Sequence, residues 1–228
     1  MCLYYGWIKS DLETSLVEVG IATLYQQTGK LLSTTPYIDE VIASDLVIDF
    51  SGDMWGENAD FLGENRFLVG LCKDYVAQLL GKKTVMLAGS PGPFGNKDTS
   101  KFAREVFSRF DLVTNREDKS RTLLERQGFK VDHLIDLACP AFLFEKTEEN
   151  VVHILSQEGL NDGSKPLIGF ILCGWNFLDG PFDKWPREDS DYTQFADIIE
   201  HIVKKTQAKV CLMSHSNGFH LPAPPFEL

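Results

Sequence analysis

The chain has 228 residues, of which 43% are hydrophobic, and its formal net charge at pH 7 is −11. This length and composition suffice for one large domain, or two smaller ones, with a buried core. The negative charge argues against nonspecific binding to nucleic acid or to an anionic membrane surface, because both require a cationic face.

Cysteine and histidine usage indicates the compartment and argues against a metal site. The five cysteines are scattered and form no C-x-x-C pair, so a reducing compartment is the simplest fit. The histidines do not cluster at ligand spacing, so no metal site is expected. The N-terminus lacks the features of a signal peptide, and no apolar run could span a bilayer. We therefore predict a cytoplasmic protein without an integral membrane segment.

Short apolar segments alternate with helical patterns through the first two thirds of the chain. The predicted elements, in chain order, are a helix at 10–27, a strand at 45–50, a helix at 58–80, a strand at 83–88, a helix at 98–110, a strand at 111–114, a helix at 117–127 and a strand at 131–135. This alternation is typical of βαβ units with right-handed crossovers. It predicts an α/β fold, with a Rossmann-like parallel sheet and helices on both faces.

A polar, turn-forming segment at 158–166 interrupts the alternation. A strand at 167–172, a helix at 189–206 and a strand at 209–213 follow it. We therefore predict two domains, an N-terminal Rossmann-like domain over residues 1–160 and a C-terminal one over 161–228. One β-α-β unit is too small for an independent α/β core, so the second domain is expected to be incomplete.

The loop after the first predicted strand is the first candidate ligand site, because ligands of parallel sheets bind beyond the carboxyl ends of the strands. Ser51 and Gly52 follow the strand directly, and a glycine there lets the backbone approach a ligand closely. Asp53 could orient a hydroxyl or act as a base. Alternatively, it caps the next turn or helix.

The loop G-S-P-G-P-F-G, residues 89–95, follows the next strand. Its prolines fix φ and its glycines admit positive φ, so the loop can be tight and preorganised. Exposed backbone N–H groups of this loop and Ser90 could cradle an anion, and Gly92 and Pro93 belong to the same candidate site. A purely structural turn is the alternative.

The third loop, N-R-E-D-K-S at 115–120, opens a helix. Arg116 lies at the strand-to-helix junction and Ser120 in the first turn, so the two could hold a phosphate or carboxylate. In the alternative, Glu117 and Asp118 satisfy the helix end and Arg116 forms a surface ion pair.

The stretch V-C-L-M-S-H-S-N-G, residues 210–218, is one residue away from the G-x-S-x-G elbow of serine hydrolases. A hydrolase would need a helix after Ser216, but L-P-A-P-P follows instead. It would also need an acid and then a histidine downstream, and little chain remains for them. The candidate functional residue of this stretch is therefore His215.

Taken in order, these segments resemble the polysaccharide pyruvyl transferase family across roughly residues 39–218. The matching pieces are D-L-V-I-D-F-S-G-D, G-S-P-G-P-F, N-R-E-D-K-S-R-T-L-L-E-R-Q-G, D-L-A-C-P-A-F and the later V-C-L-M-S-H. The resemblance implies two Rossmann-like domains that face each other, as in GT-B glycosyltransferases. It also implies transfer of a pyruvyl group from phosphoenolpyruvate to two sugar hydroxyls, which forms a cyclic ketal in polysaccharide or cell-surface glycan biosynthesis.

The resemblance also implies roles for individual residues. Gly52 and Asp53 would face the acceptor sugar, and the loop from Ser90 to Pro93 would line the cleft. Arg116 would contact an anion, and His215 would match the family's histidine after a second-domain strand. Asp53 and His215 are thus the expected catalytic groups. No cofactor is implied, because phosphoenolpyruvate is itself the donor substrate.

The expected partners are this small-molecule donor and a sugar or glycan acceptor, with no nucleic acid. An unpaired sheet edge in the second half could also support a homo-oligomer.

Two features depart from the family pattern. The segment M-C-L-Y-Y-G-W does not supply the usual glycine- and asparagine-rich loop, and the chain stops at Leu228, before the arginine-histidine donor site. We therefore expect a chain truncated at both ends, which could be an inactive fragment. The alternatives are a GT-B sugar-nucleotide glycosyltransferase and a non-catalytic remnant that binds a sugar or a partner.

Overall fold

The computed structural model describes residues 11–62, 65–145, 151–160, 163–172 and 192–214. These residues belong to two compact units, which divide between residues 145 and 146. The domain boundary predicted from the sequence, between residues 160 and 161, lies one helix further along the chain.

The first unit is a parallel sheet of four strands with flanking helices. Its elements are α1 (Asp11–Thr28), α2 (Pro36–Ala43), β1 (Leu46–Asp49), α3 (Arg66–Leu79), β2 (Lys83–Gly89), α4 (Lys97–Phe107), β3 (Leu112–Asn115), α5 (Lys119–Arg126) and β4 (Leu134–Asp136). The strands lie in the order β1-β2-β3-β4, and every neighbouring pair is parallel. The predicted α/β class with a parallel sheet is therefore confirmed.

One face of this sheet carries the main core. Met86, Val113 and Leu134, from three adjacent strands, share a buried cluster with side chains of α3, α4 and α5. Each crossover advances by one strand in the same direction, so right-handed connections place all three helices on that face.

The opposite face is less covered than the sequence predicts. Ile48 of β1 is 52% exposed and Ile135 of β4 is 49% exposed. Within the described residues of this unit, the prediction of helices on both faces is therefore wrong. The physical reason is the strand order, which never reverses and so keeps the crossover helices on one side.

Helix α2, which the sequence pattern did not predict, belongs to a second buried cluster with α1 and the end of α3. Ala22, Ile38 and Val76 represent the three helices in this cluster. The helix begins with a favourable cap, because Thr35 Oγ1 accepts a hydrogen bond from the Ile38 N–H at 3.3 Å. Pro36 follows in the first turn, where its missing N–H costs nothing.

A buried ion pair between Glu18 and Lys73 links α1 to α3. Thr35 Oγ1 donates a hydrogen bond to Glu18 Oε1 at 2.7 Å. The Lys73 ammonium lies 4.3 Å from the centroid of the Tyr37 ring, and the Tyr37 hydroxyl donates to the Lys73 carbonyl at 2.8 Å. Both buried charges therefore have partners, as burial of charge requires.

The starts of α3 and α4 differ from those predicted. A short 3₁₀ helix (Glu57–Leu62) replaces the start of the helix predicted at 58–80, and α3 begins after Asn65, whose φ of 62° is left-handed. An asparagine tolerates this conformation, which a continuous helix cannot pass through. Helix α4 is capped by Asn96, whose side chain accepts from the N–H groups of Asp98 and Thr99. Asp98, where the sequence pattern starts this helix, therefore lies in its first turn.

The second unit contains α6 (Val151–Gln157), β5 (Leu167–Leu172), α7 (Thr193–Thr206) and β6 (Lys209–Ser214). Strands β5 and β6 are parallel, with Leu167 opposite Lys209 and Leu172 opposite Ser214. This is the β-α-β unit that the sequence predicts, whereas α6 was not predicted. None of the helices in the described ranges is long and apolar enough to cross a membrane.

Replacing Glu18 by alanine should leave the Lys73 ammonium buried without its counter-charge. We expect the free energy of unfolding to fall by about 3–5 kcal/mol, measured by urea denaturation. Replacing Glu18 and Lys73 together by methionine should recover most of this loss, because no unpaired charge remains. Lys83→Ala is the matched control, since its pair with Asp111 leaves Lys83 74% exposed and should contribute about 1 kcal/mol or less. Equal losses for Glu18→Ala and Lys83→Ala would contradict this account.

Candidate functional site

The carboxyl ends of the strands bring the three predicted loops to one edge of the sheet. Gly89 at the end of β2 is in register with Asn115 at the end of β3, and Asn115 is in register with Asp136 at the end of β4. Asp49 at the end of β1 pairs with Met86 of β2. The loops that follow these strands therefore start side by side.

Backbone hydrogen bonds join the loop after β1 to the loop after β2. The Ser90 N–H donates to the Gly52 carbonyl at 3.1 Å, and the Gly92 N–H donates to the Trp55 carbonyl at 3.0 Å. The Gly92–Pro93 peptide bond is cis. Gly52, Ser90, Gly92 and Pro93, all predicted from the sequence, thus lie in two loops that are held together by their main chains.

Glu57 extends this connection to the start of α4. Its N–H donates to the Pro93 carbonyl at 3.0 Å. Its Oε1 accepts from the N–H groups of Gly95 and Asn96, at 2.7 and 2.6 Å. The end of the second loop is therefore fixed by a side chain of the first.

Trp55 anchors the first loop in the core. It is 2% exposed, and its ring lies 5.5, 6.0 and 5.7 Å from the rings of Phe67, Phe94 and Phe107. Phe94 belongs to the second loop, so the aromatic cluster ties both loops to α3 and α4. Such aromatic contacts stabilise beyond the area they bury.

The loop after β3 meets the other two through Arg116. Its N–H donates to the Gly89 carbonyl at 3.0 Å, and its Nη2 lies 3.3 Å from Asp53 Oδ1. A Cβ on Gly52 would lie 3.2 Å from Arg116 Nη1. Gly52 also has a φ of +64°, which favours glycine. Glycine at position 52 thus supplies both the turn and the room for the guanidinium.

The pair between Arg116 and Asp53 remains open to solvent, with side chains that are 35% and 43% exposed. An exposed ion pair contributes only about 0–1 kcal/mol to stability. A ligand can therefore separate these groups at low cost. The cation can then bind an anion and the carboxylate can bind a hydroxyl.

Glu117 occupies the N-terminus of α5. Its Oε2 accepts from the N–H groups of Lys119 and Ser120 at 2.8 and 3.1 Å, and its Oε1 accepts from the hydroxyls of Ser120 and Ser90. Burial raises the pKa of Glu117, but these hydrogen bonds outweigh it and hold the pKa below its usual value. Glu117 thus satisfies the helix end and Arg116 forms an ion pair with Asp53, as in the alternative to an anion site given above, but Asp118 makes no side-chain cap hydrogen bond. Ser90 and Ser120 as substrate contacts stay a prediction.

Two buried acids lie beneath the first loop and were not predicted as site residues. Asp49 Oδ1 accepts from the Ser51 N–H at 2.7 Å, and Asp74 Oδ2 accepts from Trp55 Nε1 at 3.0 Å. The two carboxyls are also hydrogen bonded to each other. Burial raises the pKa of both, and the charge of Asp49 adds to burial in holding the pKa of Asp74 well above its usual value. The Ser51 N–H is therefore engaged within the protein.

Asn115 was also not predicted from the sequence. Its side chain is fully buried, and within the described part of the chain neither its amide oxygen nor its amide nitrogen has a hydrogen-bond partner. A Cβ on Gly89 would lie 3.5 Å from Asn115 Oδ1. Because buried amides are nearly always hydrogen bonded, this one is a candidate partner for water or a ligand at the sheet edge. The available signal was an asparagine that ends a strand directly before Arg116.

Asp136, the last residue of β4, also lies at this edge of the sheet. Asp136 accepts from Arg121 Nε at 2.6 Å, so its carboxylate joins β4 to α5. His215 lies outside the described residues, and its predicted role stays a prediction. In the described ranges, no group of histidine, cysteine, aspartate or glutamate side chains could hold a metal ion.

A parallel sheet with polar loops meeting at its carboxyl edge defines an α/β protein whose candidate ligand position is that edge. Comparison with known protein families identifies the family of this chain. The sequence profile of polysaccharide pyruvyl transferase matches residues 4–217. The chain therefore belongs to the polysaccharide pyruvyl transferase family, a family of transferases, and the resemblance found in the sequence is confirmed.

A curated relative supports this assignment. The chain is 30% identical over 127 residues to the amylovoran biosynthesis protein AmsJ of Erwinia amylovora. The match covers 53% of this chain and 29% of AmsJ, so the matched stretch spans less than a third of that relative. No solved structure matches the chain.

Gly56→Ala should test the close approach of the first two loops. A Cβ at position 56 would lie 2.4 Å from backbone atoms of Gly92, which cannot yield as a flexible side chain would. We expect a loss of about 1–3 kcal/mol in the free energy of unfolding, measured in urea. Gly20→Ala in α1 is the control, since its Cβ would meet nothing within 4 Å and alanine is favoured inside a helix. A Gly56→Ala protein as stable as the unmodified chain would show that the loops are not in contact.

Proposed function

We propose that this protein transfers a pyruvyl group from phosphoenolpyruvate to hydroxyls of a sugar in glycan biosynthesis. The observation that carries the proposal is the solvent-open pair of Arg116 and Asp53 against Gly52, in a member of the polysaccharide pyruvyl transferase family. A guanidinium suits a phosphate or carboxylate, because its fork of N–H donors can bind either one bidentately. The donor carries both groups.

The donor would bind by exchange. Its phosphate or carboxylate takes the place of Asp53 on the Arg116 guanidinium, so a weak exposed ion pair is replaced by charge-assisted hydrogen bonds. The amide of Asn115, which has no hydrogen-bond partner among the described residues, supports a polar ligand at this edge, because the residue directly precedes Arg116 and ends β3.

The exchange would also release the Asp53 carboxylate for chemistry. Protonation of the methylene carbon of phosphoenolpyruvate forms a methyl group and leaves an oxocarbenium-like centre at the adjacent carbon. One sugar hydroxyl attacks that centre and gives its proton to a base, for which Asp53 is the proposed group. A second hydroxyl then displaces phosphate, which leaves with the electrons of its C–O bond, and the proton of this hydroxyl returns to the acid that protonated the methylene carbon. His215 is proposed as the second acid–base group on the family resemblance alone.

The expected architecture and compartment remain part of the proposal. Parallel strands in both units support two Rossmann-like domains of the GT-B type. Cys72, Cys139 and Cys211, which form no disulfide among the described residues, support a reducing, cytoplasmic compartment, where phosphoenolpyruvate is the proposed donor.

Arg116→Ala should weaken the binding of phosphoenolpyruvate by about ten- to a hundredfold, measured by isothermal titration calorimetry, because a charged hydrogen-bond partner is lost. Arg126→Ala is the matched control, since it removes the same charge from the last turn of α5 and should leave the affinity unchanged. Equal affinities for both variants would remove Arg116 from the site. Saturable binding of a nucleotide sugar but not of phosphoenolpyruvate would overturn the proposed donor.

Asp53→Asn should change the affinity for phosphoenolpyruvate in the opposite direction, measured in the same way. Asp53 competes with the donor for Arg116, so its neutralisation should strengthen phosphoenolpyruvate binding by up to about fivefold. The same variant should lose phosphate release from phosphoenolpyruvate in the presence of a panel of hexose acceptors, followed by ³¹P NMR. Release at the unmodified rate would contradict a role for Asp53 as the base.

A further inference from the structure

We propose that Asp49 and Asp74 share a single proton and together position the loop that carries Gly52 and Asp53. Asp49 ends β1, and Asp74 lies in the middle of α3. Both residues are buried, at 7% and 4% exposure, so neither can touch a substrate in this arrangement. They are therefore positioning residues, which act through the groups they hold.

The two carboxyls hold the two ends of the loop. Asp49 accepts from the Ser51 N–H at 2.7 Å, directly before Gly52, and Asp74 accepts from Trp55 Nε1 at 3.0 Å, on the far side of Asp53. The carboxyls are hydrogen bonded to each other. A closed chain of hydrogen bonds thus spans the turn from one end to the other.

The contact between the carboxyls requires a proton. Ionised carboxylates only accept hydrogen bonds, so one member of the pair must be protonated to donate to the other. Two adjacent buried negative charges would also repel each other strongly in a poorly polarisable surrounding. Asp74 is the member that keeps the proton, because burial and the adjacent charge of Asp49 raise its pKa well above the usual value, and the hydrogen bond from the Trp55 indole does not offset them.

The charged and titratable groups that face Asp49 and Asp74 do not neutralise the negative charge of this pair. Glu18 of α1 is paired with Lys73 of α3, so the nearby cation is already engaged. Burial raises the pKa of Tyr37 of α2, and the charges of Asp74, Glu18 and Asp49 raise it further. Its hydroxyl therefore stays protonated and donates to the Lys73 carbonyl at 2.8 Å. Glu18, Lys73 and Tyr37 therefore neither take the proton from the pair nor neutralise its negative charge.

The pair also reaches the second loop. The Trp55 carbonyl accepts from the Gly92 N–H at 3.0 Å, so a group that fixes Trp55 fixes the contact between the loops. The positions of Gly52 and Asp53 on one side and Ser90 on the other would then depend on one buried proton. Only the consequence for ligand binding rests on the proposed function.

Asp74→Asn is the decisive variant. An asparagine carries an N–H that can donate to Asp49 and an oxygen that can accept from Trp55 Nε1, so it imitates the protonated acid at every pH. Asp74→Ala removes both contacts. Asp132→Asn, at an exposed position between α5 and β4, is the charge-matched control.

The first measurement is the urea unfolding equilibrium of each variant between pH 5 and pH 7. A carboxyl whose pKa is raised by folding stabilises the protein fully below its unfolded pKa, and that stabilisation is lost as the pH rises toward its folded pKa. The folding constant of the unmodified chain should therefore fall with rising pH, relative to Asp74→Asn, by about tenfold per pH unit. Asp132→Asn should keep the slope of the unmodified chain. Parallel slopes for the unmodified chain and Asp74→Asn would overturn the shared proton.

The second measurement is hydrogen exchange of the Ser51 and Gly92 amides by NMR, which reads the loop directly and needs no ligand. Asp74→Ala should lower the protection of both amides at least about tenfold, while Asp74→Asn should keep it within about twofold. Equal protection in Asp74→Ala and the unmodified chain would overturn the positioning role. Because neither measurement uses phosphoenolpyruvate, a failure of the proposed function would leave both results interpretable.

Discussion

The backbone hydrogen bonds of Gly89 and Ser90 are the contacts on which the candidate site depends. The Gly89 carbonyl accepts from the Arg116 N–H, and the Ser90 N–H donates to the Gly52 carbonyl. The loop after β2 therefore holds the loops on both sides of it at fixed positions. Without these contacts, no main-chain hydrogen bond of the loop after β2 would hold the loops of Arg116 and Asp53 beside each other.

Most polar groups near this edge are satisfied inside the protein. Glu117 accepts hydrogen bonds from N–H groups at the start of α5. Asp49 accepts from the Ser51 N–H, and Asp74 accepts from the Trp55 indole. Such networks are stabilising only when their members are paired. The exposed pair of Arg116 and Asp53 is different, because its partners can exchange for a ligand at low cost.

Much of the frame could be predicted from the sequence, because alternating strand and helix patterns specify a parallel sheet whose loops meet at one edge. The face on which the helices lie could not, since it depends on the strand order. The role of Asp74 could not be predicted, because this residue lies within an apolar helical pattern and its partner Asp49 comes from another element. Local sequence also could not decide whether Glu117 or a bound anion occupies the start of α5, since both suit the same N–H groups.

We propose that Arg116 and Asp53 form the donor end of a pyruvyl transferase site. An NMR titration of the full chain with phosphoenolpyruvate tests it most directly, with the Arg116 Nε–H and the Gly52 and Ser90 amides as reporters. We predict saturable shifts that are largest at these three groups. Saturable shifts confined to other parts of the chain, or no shifts at all, would contradict the claim.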